Sequence, residues 1–272
     1  MRLLVTSFLL VATVVVSQEP KPPSPEDQYR QAMGLLLAGN PNQSDRDQAL
    51  TLLRAAASQN YAPAETALGT LYQDGTLIVP DAGQAIFWFR KAADQDDWIA
   101  QFSLGRIYFF GLGTARDITA AKKWFMQAAA AEDSGSSFFL GLLNDHDVAN
   151  SPDYAEAAKW YRFSAERGNP FAQERLARLL LEGLGVKQNR QEAYAWLLVA
   201  VELGNNKAQS RLLSIDSDLG KMSADAARKQ ALEMHERVLS VTHKECAGWD
   251  GQYSNAPTPP PLNSQRSCRQ SR

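Results

Sequence analysis

Four of the six tryptophans recur at a fixed interval of 36 residues. They are Trp88, Trp124, Trp160 and Trp196. A set of leucines has the same period in a second phase: Leu68, Leu104, Leu140, Leu176 and Leu212. A period between about 20 and 50 residues is the signature of a solenoid, in which one supersecondary unit stacks on copies of itself. This repeat constrains the possible folds more than any other feature of the chain.

One copy of the unit, residues 62–96, has the pattern of two helices joined by a short loop. Apolar residues recur at spacings of three and four from Ala64 to Tyr72 and again from Ala85 to Ala93, as in helices with one buried face. Gly75 follows the first run, where a glycine in the left-handed conformation can end a helix. Asp81 precedes the second run and Gln84 lies three residues later, which is the spacing of a capping box.

A single helical hairpin cannot bury both of its apolar faces, whereas stacked copies can. We therefore predict an all-α fold, an α-solenoid wound as a right-handed superhelix of about five to six helix-turn-helix repeats of 36 residues. The tryptophans are expected to fill the space between units rather than to bind a ligand. Trp124→Ala should then destabilise the protein by several kcal/mol.

The units differ in how well they keep the pattern. Five full units are expected to start near Tyr29, Tyr61, Asp97, Asp133 and Asn169. In the first unit Leu52 stands in place of tryptophan, and in the fourth Asn144-Asp145-His146-Asp147 replaces the end of the first helix. A half-matching sixth unit begins at Asn205 and leads into a longer capping helix over about 223–242.

These motifs resemble a known family, the Sel-one-like repeats, which are related to tetratricopeptide repeats. The residues that carry the resemblance are Ala64-x-x-Ala67-Leu68-Gly69-x-Leu71-Tyr72, then Gly75, then Ala85-x-x-Trp88-Phe89-x-x-Ala92-Ala93, with matching positions in units three and five. The resemblance implies a non-enzymatic scaffold or adaptor that binds a protein or peptide, in the bacterial envelope or outside the cell. A periplasmic regulator dedicated to one signalling partner is an alternative.

A third possibility comes from a cysteine-rich branch of the same family, which is associated with penicillin binding and β-lactamase activity. A hydrolase of cell-wall precursors or β-lactams would follow by analogy. This chain has no cysteine inside any repeat, and its sequence contains no nucleophile motif, phosphate-binding loop or zinc-ligand motif. We therefore expect no catalytic residue, no cofactor and no metal, and we interpret Asp145-His146-Asp147 as a hydrogen-bonded turn.

The ends of the chain suggest export. Met1-Arg2 precede an apolar run from Leu3 to Val16, and a cut after Ser17 would leave small residues at the recognised positions. The run is shorter than the roughly 20 residues of a membrane span, so we predict a cleaved signal peptide at 1–17, with an uncleaved anchor as the alternative. A proline-rich linker (18–28), the solenoid with its capping helix (29–242) and a low-complexity tail (243–272) should follow, with no stable membrane insertion after cleavage.

The tail carries both cysteines of the chain, Cys246 and Cys268. Export would permit a disulfide between them, although free thiols or pairing with another chain remain open. The formal net charge of −2 and the isoelectric point near 6.0 give no basic footprint for nucleic acid.

The expected binding surface is the concave face formed by the first helix of each unit. Arg106, Phe109, Phe110 and Leu142 fall on one helical face of units three and four, and apolar residues grouped there favour a partner site. Packing against the neighbouring unit is the alternative for Phe109 and Phe110. It is the preferred interpretation for Phe102 and Phe138.

Overall fold

The computed structural model describes residues 22–38, 41–146, 148–216 and 221–247. Within these ranges the chain forms twelve α-helices and no β-strand, which confirms the predicted all-α fold. The helices are α1 Pro25–Leu37, α2 Gln43–Ser58, α3 Ala62–Asp74, α4 Ala82–Ala93, α5 Trp98–Phe110, α6 Ile118–Ala129, α7 Ser134–Asn144, α8 Tyr154–Glu166, α9 Pro170–Glu182, α10 Arg190–Glu202, α11 Asn206–Asp216 and α12 Lys221–Ala247.

The helices pair in order along the chain and the pairs stack. The hairpins are α1 with α2, α3 with α4, α5 with α6, α7 with α8, and α9 with α10, and the second helix of each packs on the first helix of the next. First helices of successive units also touch, α3 with α5, α5 with α7 and α7 with α9, whereas second helices of successive full units are less closely packed. The first helices therefore lie on the inner, concave side, which we call the inner face.

Glycines end the first helices as the sequence predicts. Gly75, Gly111 and Gly183 adopt left-handed φ angles of 66°, 72° and 70°. A second glycine in the loop allows close approach to the preceding unit, because a Cβ atom on Gly113 would lie 2.0 Å from the Cβ atom of Ala82.

The caps of the second helices follow only half of the prediction. Asp81 accepts a hydrogen bond from the backbone N–H of Gln84 at 2.9 Å. Its own N–H donates to the carbonyl of Tyr72 at 3.0 Å, and the Asn189 N–H reaches Leu180 in the same way at 2.9 Å. The predicted capping box was therefore wrong in its second half, because this N–H ties the second helix to the first.

The core centres on the residue after each tryptophan. The four residues that directly follow the regularly spaced tryptophans are fully buried: Phe89, Phe125, Tyr161 and Leu197. Each aromatic member packs over a glycine of the preceding helix, and a Cβ atom on Gly105 would lie 2.5 Å from the Phe125 ring. The tryptophans do pack between units, since Trp124 contacts the core shared by α4 and α5. Of the four in register only Trp196 is buried, and the other three are half-buried.

Both ends of the array differ in detail from the sequence expectation. Helix α1 begins at Pro25, inside the expected linker, because the Ser24 side chain caps it by accepting from the Asp27 N–H. Helix α12 is longer than predicted. It packs mainly against α10 and also touches α8, burying Ala231, Met234 and Val238 in the core of the last units.

Candidate partner-binding face

An aromatic row crosses the inner face of units three to five. Its members are Phe110, Phe139, Phe102, Phe138 and Phe171, contributed by α5, α7 and α9. Ring centroids are 5.8 Å apart for Phe110 and Phe139, 5.7 Å for Phe138 and Phe139, and 6.2 Å for Phe138 and Phe171. The two ends are open to solvent, with Phe110 53% and Phe171 59% exposed.

The row is held from below by core aromatics. The Phe125 ring lies parallel to that of Phe139, with centroids 4.7 Å apart, and the Phe109 ring meets Phe139 edge-on at 5.1 Å. Because these supporting rings are buried, the row has a fixed position on the solenoid. Large rigid side chains of this kind lose little conformational entropy when a partner covers them.

The four residues expected to bind a partner take different places. Phe110 is exposed, whereas Phe109 is only 7% exposed and contributes packing rather than accessible area. Leu142 is partly buried and packs against the cores on both sides of α7. Arg106 is half-buried, with its Cζ atom 5.8 Å from the centre of the Phe102 ring.

Two members of the row, Phe139 and Phe171, were missed by sequence reasoning. Phe139 directly follows Phe138, and Phe171 directly follows the first residue of α9, so neither falls on the helical positions used to define the face. The structure brings both into ring contact with other members of the row. The expected packing role of Phe102 and Phe138 agrees with their contacts to Phe125 and Tyr161, each at 6.0 Å.

A buried charge cluster borders the row between units four and five. Asp145 is fully buried, and Arg178 Nη2 donates to both of its carboxylate oxygens at 2.7 Å. The Tyr161 hydroxyl donates to Oδ2 at 2.9 Å and the His146 backbone N–H donates to Oδ1 at 2.7 Å. The N–H of Val148 closes a turn on the Asp145 carbonyl at 3.1 Å, which confirms the hydrogen-bonded turn.

The cluster fixes the ionisation of its members. Burial of Asp145 favours its neutral form, but the hydrogen bonds and charge of Arg178, with donation from Tyr161 and His146, outweigh burial and lower its pKa. Burial and the neighbouring carboxylate raise the pKa of the Tyr161 phenol. The carboxylate is thus held as a structural ion.

Arginines on the inner face divide into paired and unpaired groups. Arg178 pairs with Asp145, and Arg211 pairs with Glu174 at 2.9 Å. Arg106 makes no ion pair with any residue that the structure describes, and its partner is the Phe102 ring. It is therefore available to an outside group.

Other sequence predictions lie at or beyond the limits of the described ranges. The predicted signal peptide at 1–17 and Cys268 lie outside them, and Cys246 belongs to the last turns of α12 without a described side chain. The disulfide thus stays a prediction.

Across the described ranges, no group of three or more histidine, cysteine or acidic side chains is arranged to hold a metal ion. None of the described helices has the length and apolarity of a membrane span.

The stacked hairpins and their inner face define a class of protein, the α-solenoids of helical repeats. The family model "Sel1 repeat" matches residues 29–61, 62–97, 98–133, 136–169 and 170–205. The chain therefore belongs to the Sel1 repeat family, and the matched ranges confirm the predicted five units. A search of curated protein sequences gave no match.

Two solved structures are similar over most of the chain. One is c5321, a protective antigen present in uropathogenic Escherichia coli strains displaying an SLR fold, at 25% identity and a TM-score of 0.67. The match covers 90% of this chain and 53% of c5321, so the chain spans about half the length of that relative. The other is a Sel1 repeat protein from Oxalobacter formigenes, at 27% identity and a TM-score of 0.66, covering 80% of this chain and 88% of that one.

Proposed function

We propose that this protein is an exported, non-enzymatic scaffold that binds a partner protein or peptide on its inner face. Sel1 repeat proteins generally act as scaffolds for protein interactions, which supports this class of function. The observation that carries the proposal is the aromatic row, because its exposed ends Phe110 and Phe171 leave a continuous apolar track across three units. Such contiguous apolar surface commonly marks an interaction site.

Binding energy should concentrate on few residues. Aromatic and arginine side chains are over-represented among the residues that dominate protein interfaces, and Arg106, Phe110 and Leu142 supply both types with apolar surroundings. The buried Phe109 supports this surface from beneath. We therefore assign Phe110 as the main contact within units three and four.

The experiment compares two exposed phenylalanines. Phe110 on the inner face and Phe87 on α4, a second helix, are 53% and 51% exposed. Purified mature protein is used to capture partners from the native cell envelope, which are identified by mass spectrometry. Phe110→Ser should weaken capture at least tenfold, about 1.4 kcal/mol, and Phe87→Ser should leave it unchanged. Circular dichroism checks that both proteins are folded. If they are, equal capture by wild type and Phe110→Ser would reject the inner face as the site.

Export is the second part of the proposal. The apolar run from Leu3 to Val16 and the small residues before Gln18 support cleavage after Ser17. N-terminal sequencing of periplasmic or secreted material should begin at Gln18. An intact Met1 in the membrane fraction would instead support an anchor.

The non-enzymatic assignment is checked on the same mature protein, which should not turn over β-lactams.

A further inference from the structure

We propose that the partner presents a side-chain carboxylate close to a large apolar side chain, with the carboxylate bound by Arg106 and the apolar group seated on the aromatic row at Phe110. This inference rests on the proposed function and adds the chemistry of the partner. Arg106 and Phe110 are four residues apart in α5, so they lie on one face of that helix. A single partner segment can therefore reach both.

Arg106 is prepared to bind a carboxylate. Its guanidinium stands 5.8 Å from the Phe102 ring centre, which orients the planar group and leaves its N–H donors unused by any described carboxylate. Arginine binds carboxylates through two parallel hydrogen bonds, and these charge-assisted bonds are stronger than neutral ones. By contrast, Arg178 and Arg211 have their carboxylates supplied within the chain.

Helices α5 and α7 contribute no acidic side chain to the surroundings of Arg106. Residues 98–116 contain two arginines and no acidic residue, and α7 contains no charged residue at all. The second arginine, Arg116, lies beside the same aromatic cluster, with its Cζ atom 5.7 Å from the Phe109 ring centre and its Nε donating to the Phe109 carbonyl at 3.0 Å. On the side formed by α5 and α7, an acidic group is attracted by Arg106 and Arg116, and a basic group is repelled by them.

Burial strengthens this preference. Arg106 is half-buried among apolar rings, where charges attract more strongly than they do in water. An uncharged apolar segment would cover the guanidinium without supplying an acceptor, and that loss disfavours such partners. The surface therefore selects acidic–apolar segments over purely apolar ones.

The test reverses the charge at residue 106 and measures which peptides each protein then selects. A phage library of random dodecapeptides is selected against the wild-type protein, against Arg106→Glu and against Arg54→Glu. Arg54 is an exposed arginine of the second helix α2 without an ion pair among the described residues, so its variant is the matched control. Wild type and Arg54→Glu should enrich peptides with Asp or Glu within about four residues of an aromatic or aliphatic residue. Arg106→Glu should lose these and favour Lys or Arg instead.

The best acidic peptide is then measured by fluorescence anisotropy. Arg106→Glu should weaken it at least tenfold, and replacing its acidic residue by lysine should reverse the ranking of the two proteins. Enriched peptides without acidic residues, no enrichment on wild type, or the same peptides on wild type and Arg106→Glu would overturn the inference. If circular dichroism shows that Arg106→Glu is unfolded, Arg106→Ala provides a second variant. If this inference about the partner's carboxylate fails, the Phe110→Ser comparison still tests the proposed function independently.

Discussion

At the residue scale, unit four has a buried polar pair, Tyr161 and Asp145, at positions where unit three has apolar residues. Tyr161 stands in the position of Phe89 and Phe125, and its hydroxyl donates to Asp145 at 2.9 Å. A buried carboxylate needs donors and a buried hydroxyl needs an acceptor, so neither change is favourable alone. Since the pKa of Asp145 is lowered on folding, its contribution to stability is fully present above its unfolded pKa of about 3.9. That contribution is lost as pH falls through the lower folded-state pKa.

Phe125 should matter more for stability than its tryptophan neighbour. Phe125 is fully buried against Gly105 and Phe139, so Phe125→Ala should cost about 3–5 kcal/mol in the free energy of unfolding. Trp124→Ala should cost less, because Trp124 is only half-buried. Urea denaturation followed by circular dichroism measures both, with the exposed Lys122→Ala as control. A larger loss for Trp124→Ala would contradict the assignment of the core.

Asp97 should limit stability at neutral pH. Burial raises its pKa, so the ionised form is disfavoured in the folded state. Units five and six carry asparagine at the same position, and the Asn205 Nδ2 donates to the Pro170 carbonyl at 2.7 Å. Asp97→Asn should therefore keep the helix cap, remove the buried charge and stabilise the protein at pH 7 by roughly 1 kcal/mol.

The sign of the pH dependence follows from the raised pKa. As pH falls through the folded-state pKa, Asp97 gains its proton in the folded protein first, so the disadvantage of wild type should shrink towards pH 4. Denaturation midpoints of both proteins between pH 4 and pH 7 test this. Asp97→Ala, which removes the cap to Ala100, should be destabilised instead by about 1 kcal/mol. A constant difference between wild type and Asp97→Asn across this range would disprove the role of charge.

At the element scale, every full unit ends its second helix with a residue in the left-handed region. These residues are Asn60, Asp96, Glu132, Gly168 and Gly204, with φ angles of 60°, 61°, 62°, 82° and 86°. Glycine adopts this conformation without strain, whereas a side chain with a Cβ atom does so at a cost. The turn geometry is thus set by the stacking of units, and the first three units tolerate a strained residue to achieve it.

Glu132 provides the clearest test of this strain. Its side chain also pairs with Arg167 at 2.6 Å, so two substitutions are needed to separate backbone from ion pair. Glu132→Ala and Glu132→Gly both remove the pair, but only glycine relieves the left-handed backbone. Glu132→Gly should therefore be more stable than Glu132→Ala by about 1 kcal/mol in thermal or urea unfolding. Equal stability of the two variants would show that the turn is unstrained.

At the scale of the whole molecule, the last full unit is closed by a helix from outside the repeat. Helix α10 packs against α9 on one side and α12 on another, which buries Tyr194, Trp196 and Leu197 together. Because a solenoid unit touches only its neighbours, such a cap stabilises the end of the array and has little effect on distant units.

Disrupting this cap should loosen only one end of the molecule. Met234 on α12 is buried in the core of the last units, so Met234→Asp places a charge there and should detach the helix. Hydrogen exchange should rise in α9 and α10 while α3 to α6 keep their protection, and the exposed Leu232→Asp serves as the control. Equal loss of protection along the whole chain would mean that the array unfolds as one cooperative unit.

The sequence by itself determined the repeat, the helix pairs and most of their ends. Helical spacing, left-handed glycines such as Gly75 and capping side chains such as Asp81 are local signals. A period of 36 residues repeats them along the chain and so identifies the helix pair. The family followed from the same positions, because they are packing positions. The sequence also predicted an apolar inner face in units three and four.

Only the tertiary structure decided which side chains on that face are accessible. Helix α5 is apolar almost all round, so its own periodicity cannot tell the buried Phe109 from the exposed Phe110. That choice depends on where α6 and α7 lie, and their approach also aligns Phe139 with the row. Likewise, the ion pair of Arg178 with Asp145 joins residues 33 positions apart, which a local pattern does not encode.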